Sequence, residues 1–166
     1  MRKAFILLLM IIGAAQICAA QDAASRAKAD IDALMTTWHK AAAAADEKTY
    51  FDLMAPEAIF LGTDATERWT KDEFRNYAES RFKGGSAWVY WATKRNIYLS
   101  SDRTVAWLDE ELASKSYWTC RGTAVLEMVN GQWKIRHYNL MFTIPNSAVR
   151  EIKPVIQREL AKTEKK

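Results

Sequence analysis

Thr123-Ala124-Val125-Leu126-Glu127-Met128-Val129-Asn130-Gly131-Gln132-Trp133-Lys134-Ile135-Arg136-His137-Tyr138-Asn139 is the stretch that decides the fold. Two alternating runs meet at Asn130-Gly131, the dipeptide best suited to a tight two-residue hairpin turn. A turn there pairs Val129 with Gln132, Met128 with Trp133, Leu126 with Ile135, Ala124 with His137, Gly122 with Asn139 and Cys120 with Met141. Side chains alternate across a strand, so the Trp133 face is expected to be buried. Glu127, Lys134, Val125, Arg136, Thr123 and Tyr138 then face away. At ~3.4 Å per residue the strands span about 35–40 Å, more than strands usually run unbent. Gly122 is the natural place for a bulge. A long bent hairpin can cup helices and leave a cone with a mouth.

The period of two also runs through Ala87–Leu99, Thr104–Leu112, Tyr117–Val129 and Gln132–Thr143, with Ser101-Asp102 turning the first pair. Earlier the period is helical. Ile31, Leu34, Met35, Trp38 and Ala42 recur at steps of three and four between Ala24 and about Asp46. A short helix carries Tyr50, Phe51 and Met54 and stops before Pro56, and Ala58 to Gly62 is a short strand. Thr70-Lys71-Asp72-Glu73 is a capping box ahead of an apolar stripe of Phe74, Tyr77, Ala78 and Phe82. Gly84-Gly85 ends that helix, and Val149 to Ala161 reads as a terminal one. Helices first and an antiparallel meander after them define an α+β domain.

The beginning of the chain reads differently. Arg2 and Lys3 precede an apolar run from Ala4 to Ile12, and Cys18-Ala19-Ala20 supplies small residues before a cut at Gln21. These are the three parts of a secretory signal. The expected organisation is therefore a signal over residues 1–20 and one domain over 21–166, periplasmic or secreted, with no membrane span after cleavage. Lipid modification of Cys18 is an alternative. Removing Arg2 and Lys3 leaves 22 basic against 20 acidic residues, a charge of +2. Part of that excess lies in Lys162–Lys166, and no basic stripe points to nucleic acid. Cys120 is the single cysteine beyond the signal, so a hydrophobic core rather than a disulfide must hold the domain.

The chain resembles the SnoaL-like branch of the nuclear transport factor 2-like superfamily from about Ala24 to Asn146. The resemblance is carried by Phe60-Leu61-Gly62-Thr63-Asp64, Glu67-Arg68-Trp69 and the capped helix, then Asp109-Glu110, Gly131-Gln132-Trp133-Lys134-Ile135 and His137-Tyr138-Asn139. It implies a cystatin-like α+β fold, with N-terminal helices packed in a curved antiparallel sheet that forms a cone. It also implies a pocket used by isomerases, dehydratases, epoxide hydrolases and cyclases through Asp, His or Tyr, or by modules that only bind or assemble.

The candidate site follows from the expected register. His137 and Asn139 face the small residues Ala124 and Gly122, which leaves either room for a ligand or a gap that Trp38 fills. His39 lies off the apolar stripe and is expected at the surface. Asp64 and Trp69 stand at the mouth, where Asp64 is either a general base or the acceptor of an Asx turn. The Ser101-Asp102 turn pairs Thr93 with Glu110 and Lys94 with Asp109, sending Glu110 and Arg95 inward as a diagonal ion pair; the inverse register buries Asp109 instead. Cys120 shares the buried face as an inert thiol. The pocket set is thus Trp38, Asp64, Trp69, Tyr77, Arg95, Glu110, Cys120, His137 and Asn139, with Asp64, Glu110 and His137 as catalytic candidates. Two histidines without spaced partners suggest no metal, and no cofactor motif is present. Trp88 to Trp91, with Tyr138, Leu140 and Phe142, read as an apolar outer face and point to a homodimer unless the terminal helix covers them. The functional expectation is binding of a small, partly apolar molecule. The alternatives are an isomerase, dehydratase or cyclase, or a structural module.

Overall fold

The structure is a computed structural model that describes the backbone of residues 2–163 and the side chains of residues 21–162. The expected signal, residues 1–20, lies outside the residues whose side chains are described. Helix α1 is Arg2–Ala43, and its inner face carries Ile31, Met35, Trp38 and Ala42, all buried. It stops where Ala45 takes the left-handed conformation at φ 56° and the Asp46 N–H reaches back to the Ala41 carbonyl at 2.8 Å. Orphan carbonyls of a helix end are satisfied in this way. Asp46 then caps α2, Glu47–Asp52, by accepting from the Thr49 N–H. Helix α3, Lys71–Lys83, begins with the capping box on Thr70 and Glu73 and buries Phe74, Ala78 and Phe82.

Six strands form one curved, open sheet: β1 (Met54–Leu61), β2 (Arg68–Thr70), β3 (Tyr90–Leu99), β4 (Val105–Ser114), β5 (Cys120–Val129) and β6 (Gln132–Phe142). Their spatial order is β2-β1-β6-β5-β4-β3. All neighbours are antiparallel except β1 and β6, which run parallel. Strand β1 starts at Met54, before Pro56, and its pairing with β6 is irregular between Met54 and Ile59. That gap in the ladder accommodates a proline that has no N–H to give. The helices fill the concave face. Trp38 stacks on Tyr50 at 4.6 Å and leans on Tyr138 at the same distance, while Phe60 stacks on Phe74 at 3.9 Å.

The hairpin turn is as expected, with Asn130 at φ 51° and Gly131 at φ 78°. Its ladder is not. After Leu126–Ile135 the register slips, so that Val125 meets His137, Ala124 meets Tyr138, Thr123 meets Asn139 and Gly122 meets Leu140. The bulge lies at Arg136 in β6, not at Gly122. One inserted residue turns every later side chain over. Tyr138 therefore enters the core at 1% exposure, with Leu140 packed against it, and Phe142 joins the Tyr90, Leu112 and Cys120 cluster. His137 and Asn139 pass to the outer face. The physical reason is the size of what is buried. Each large apolar group inside contributes about 1.5–3 kcal/mol, whereas a buried imidazole and amide need partners.

Two further expectations change. Strands β3 and β4 pair Arg95 with Glu110 and Asn96 with Asp109, two residues on from the expected register. An even shift preserves the faces, so Glu110 and Arg95 do point inward. The outer apolar face is also differently made. It is a row of Tyr98, Trp107, Val125, His137 and Ile59 across five strands. Helix α4, Val149–Thr163, contributes nothing to the buried core, and its Val149, Val155, Ile156 and Leu160 are about half exposed.

Candidate functional site

Two features share the concave face, an ionic cluster and an aromatic pocket. The cluster centres on Glu110, which β4 directs inward at 1% exposure. Its Oε1 accepts from His39 Nε2 at 2.7 Å and from the Tyr138 hydroxyl at 2.7 Å. Its Oε2 accepts from Arg95 Nε at 2.8 Å; Arg95 Nη2 lies equally near but off the hydrogen-bond line. Arg95 Nη1 extends the chain to the Asp32 carboxylate at 2.6 Å. Gly122 makes the cluster possible. A Cβ there would stand 2.2 Å from the Tyr138 hydroxyl oxygen and 2.9 Å from Glu110 Oε1.

Burial by itself raises the Glu110 carboxyl. The His39 hydrogen bond and charge, then the Arg95 charge and the Tyr138 hydroxyl, outweigh it and hold the group at about 2. The Tyr138 hydroxyl is pushed far above its ordinary value, first by burial and then by Glu110, and so remains a donor. A carboxylate this acidic, with both oxygens engaged, is a poor proton acceptor. It orients His39 instead.

The aromatic pocket opens beside this cluster, between α3, β2 and the start of β3. Its volume is about 260 Å³, with walls that include Phe60, Trp69, Tyr77, Trp88, Tyr90 and Tyr117 and with Glu67 and Arg81 among its lining residues. Trp69 stacks on Tyr77 at 4.4 Å, and Arg81 lies 4.5 Å over the Tyr77 ring. Phe60, Trp88, Tyr90 and Leu140 also line a cavity of about 10 Å³ further in, with Trp38, His39, Tyr50 and Tyr138. Such a space holds about one water. The Trp38 indole N–H is buried without a hydrogen-bond partner among the described residues; burial pushes the Tyr50 hydroxyl well up, opposed weakly by the Trp88 indole beside it.

The structure places the sequence-derived residues as follows. Trp69 and Tyr77 line the pocket, Trp38 fills the centre of the cone, and Arg95 and Glu110 form the cluster. Asp64 lies in an exposed Asx turn, accepting from the Thr66 N–H at 2.9 Å and the Thr66 hydroxyl at 2.6 Å. Those bonds lower its carboxyl and keep it from acting as a base near neutrality. His137 and Asn139 are on the other side of the sheet, and Cys120 is buried in the satellite cluster, donating to the Trp118 carbonyl. His39, expected at the surface, is 6% exposed and meets Glu110. His39 and Tyr138 are the members that sequence reasoning missed. A signal existed for His39, since it sits one residue from Trp38 and seven from Asp32, on the side of α1 that looks toward β3. No group of three or more potential metal ligands occurs among the described residues, and none of their helices is long and apolar enough to cross a membrane.

An open curved sheet cupping N-terminal helices around a pocket is the architecture of the nuclear transport factor 2-like superfamily. The chain belongs to the SnoaL-like domain family, which matches residues 31–145. Solved structures agree on the fold. A protein of unknown function from Pseudomonas putida, described as NTF2-like, shares 13% identity over 75% of this chain and 92% of its own, with a TM-score of 0.61. A protein from Parabacteroides distasonis, provisionally assigned as a ketosteroid isomerase, shares 18% over 69% and 86%, TM-score 0.53. A protein from Novosphingobium aromaticivorans, provisionally assigned as an aromatic ring hydroxylase, shares 16% over 72% and 91%, TM-score 0.60. At these identities the likeness concerns the fold alone. No curated protein shows significant sequence similarity to the chain.

Proposed function

We propose that this protein is an exported binding module that takes up a small, partly apolar molecule in the aromatic pocket. One observation carries the reading. A pocket of about 260 Å³ walled by aromatic rings leads, through shared walls, toward the buried Trp38 Nε1, which has no partner among the described residues, and the Tyr50 hydroxyl, touched only by the Trp88 indole. The matching ligand has one or two flat rings and an oxygen acceptor at its inner end, met directly or through a water. Tryptophan fluorescence with a panel of mono- and bicyclic aromatic ketones and phenols tests this. Saturable quenching is expected, weakened about fivefold by Tyr77→Ala through lost ring contact. Unchanged affinity in that variant would move the site elsewhere.

A catalytic reading is favoured by one contact, His39 Nε2 on Glu110 at 2.7 Å. A buried carboxylate fixing one imidazole nitrogen leaves the other to accept a proton. Turnover of an enolisable ketone that disappears in His39→Gln, with the fold intact, would establish an isomerase-type activity over simple binding. Two expectations complete the proposal. Residues 1–20 direct export, which mass spectrometry of the periplasmic protein tests through a mature start at Gln21. A second copy covers the outer row of Tyr98, Trp107 and Val125, since α4 does not.

A further inference from the structure

The aromatic pocket has one acid among its lining residues, Glu67, and the turn between β1 and β2 holds it there. The Gly62 N–H donates to the Glu67 carbonyl at 2.8 Å, which carries the ladder one step beyond Leu61–Arg68. Phe60 and Trp69 stack together on the concave side, so by alternation Gly62 and Glu67 face it too. Arg68, between Glu67 and Trp69, passes to the outer face, where its charge acts on His137. The carboxylate is then fixed locally. Its Oε2 accepts from the Asp64 N–H at 3.1 Å, and a Cβ at position 62 would collide with that oxygen and stand 2.9 Å from the Glu67 Cβ. Glycine at 62 is what leaves the carboxylate its room.

Glu67 differs from Glu110, the carboxylate of the ionic cluster, in what it has left over. Glu110 is consumed by His39, Arg95 and Tyr138. Glu67 is partly buried, makes no ion pair among the described residues, and keeps its Oε1 without a hydrogen bond there. The one basic residue of the lining, Arg81, is exposed and rests its guanidinium over the Tyr77 ring rather than on Glu67. Burial first, then neighbouring charges that include Glu67, push the Tyr90 hydroxyl up, so it stays neutral and Glu67 supplies the negative charge of the pocket. Trp69, Trp88, Tyr90 and Tyr117 share the lining with it. Ring faces and a carboxylate together recognise an organic cation, through the ring quadrupoles and one charged hydrogen bond.

We propose that the ligand of this pocket is an aromatic amine in its protonated form, with the nitrogen beside the Glu67 carboxylate and the ring among Trp69, Trp88 and Tyr90. The inference rests on the reading that the pocket takes up an aromatic molecule, and adds the charge that molecule bears. The two ends of the ligand are then recognised differently. An oxygen at the inner end meets Trp38 Nε1, and the nitrogen at the outer end meets Glu67, which lines the pocket but not the inner cavity. Arg81 opposes a cation weakly, because its charge is exposed and screened, whereas Glu67 acts at contact distance.

Tryptophan fluorescence at neutral pH with matched probes separates the charge from the ring. The probes are 2-phenylethylamine, which is protonated, 2-phenylethanol, which is neutral, and 3-phenylpropanoate, which is an anion. The amine is expected to bind about tenfold more tightly than the alcohol, the gain from one charged hydrogen bond at a partly exposed site, and the anion more weakly than both. Glu67→Gln keeps an acceptor for the Asp64 N–H, so the turn survives. In that variant the amine should lose its advantage while the alcohol binds as it does to wild type. The alcohol titration thereby reports an intact pocket, which a merely structural role for Glu67 would not leave. Equal affinities for amine and alcohol in wild type would overturn the assigned charge and leave the aromatic pocket standing. An anion that binds best would do the same and give charge recognition to Arg81. An amine advantage that persists in Glu67→Gln would also sink the proposal. No quenching by any of the three defeats it as well, and with the ketones and phenols equally silent the pocket reading falls too.

Discussion

Replacing Glu110 with glutamine perturbs the ionic cluster at its centre while keeping the volume. The carboxylate is 1% exposed and receives three side chains. Glutamine offers one acceptor oxygen, so its own N–H must confront at least one of those donors. Arg95, with a side chain 5% exposed, keeps Asp32, 57% exposed, as its remaining carboxylate partner, along with the Thr36 hydroxyl. Removing one member of a buried ion pair costs about 3–5 kcal/mol. Because Asp32 retains part of the compensation, the expected loss is near the lower end, about 3 kcal/mol. The lowered carboxyl of Glu110 expresses the same contacts as a pH dependence. The group moves from an ordinary 4.5 to about 2 on folding, which at ~1.4 kcal/mol per pH unit is about 3 kcal/mol. The folded value is the lower one, so the unfolded chain binds the proton first as pH falls. The contribution is complete above about pH 5, declines below that and is gone near pH 2. Urea denaturation of both proteins at two pH values provides the measurement. At pH 7 the variant should lie about 3 kcal/mol below wild type with an unchanged slope, and its Tm should fall by roughly 6–12 °C. At pH 3 the gap should narrow to about 1 kcal/mol. A gap below ~0.5 kcal/mol at pH 7, within the range of ordinary surface substitutions, would refute the cluster as described. A gap of equal size at both values would refute its ionisation.

Gly122→Ala places a methyl 2.2 Å from the Tyr138 hydroxyl oxygen and should cost about 1–3 kcal/mol in the same assay, since neither neighbour can retreat without breaking the cluster. Tyr50→Phe removes a buried hydroxyl whose one side-chain contact is with the Trp88 indole; stability should change by no more than about 1 kcal/mol, while affinity for acceptor-bearing aromatics should fall. Trp107→Asp puts a charge into the outer row where Trp107 is 47% exposed; under the proposed pairing of two copies, wild type should sediment as a dimer and the variant as a monomer, with little change in monomer stability.

Much of the fold was legible in the sequence because its cues are local. The Thr70–Glu73 capping box, the Asn130-Gly131 turn and the Ile31, Met35, Trp38 stripe each determine a backbone outcome within a few residues, and each is present as read. The site was less legible, because it depends on register carried over many residues from a turn. Extrapolating the hairpin ladder past Ile135 put His137 inside and Tyr138 outside, the reverse of what is found. The correction was written in the apolar pattern. Large apolar residues occupy odd positions at Trp133 and Ile135 and even positions at Tyr138, Leu140 and Phe142, a change of phase that only an extra residue reconciles. The same change occurs in β3, from Tyr90 and Ala92 to Ile97 and Leu99, and a bulge lies there too. Phase is a better guide than turn-to-end counting where strands are long.

The two bulges also set how the ionic cluster and the aromatic core meet. The β6 bulge turns Tyr138 inward, where its ring packs on Trp38 and its hydroxyl reaches Glu110. The β3 interruption lies between Tyr90, a wall of the aromatic pocket, and Arg95, the counter-ion of Glu110. Trp38, His39 and Tyr138 thus line one small cavity together, where the aromatic core meets the ionic cluster. His39 reaches Glu110 and Trp38 stacks on Tyr50, one residue apart on α1. A helix turns about 100° per residue, so adjacent positions necessarily face different environments, and α1 reads both. The carboxylate is stabilised as an anion by what surrounds it, and that stabilisation removes it from proton transfer in the pocket. Acid–base chemistry by Glu110 is thereby disfavoured in this cone.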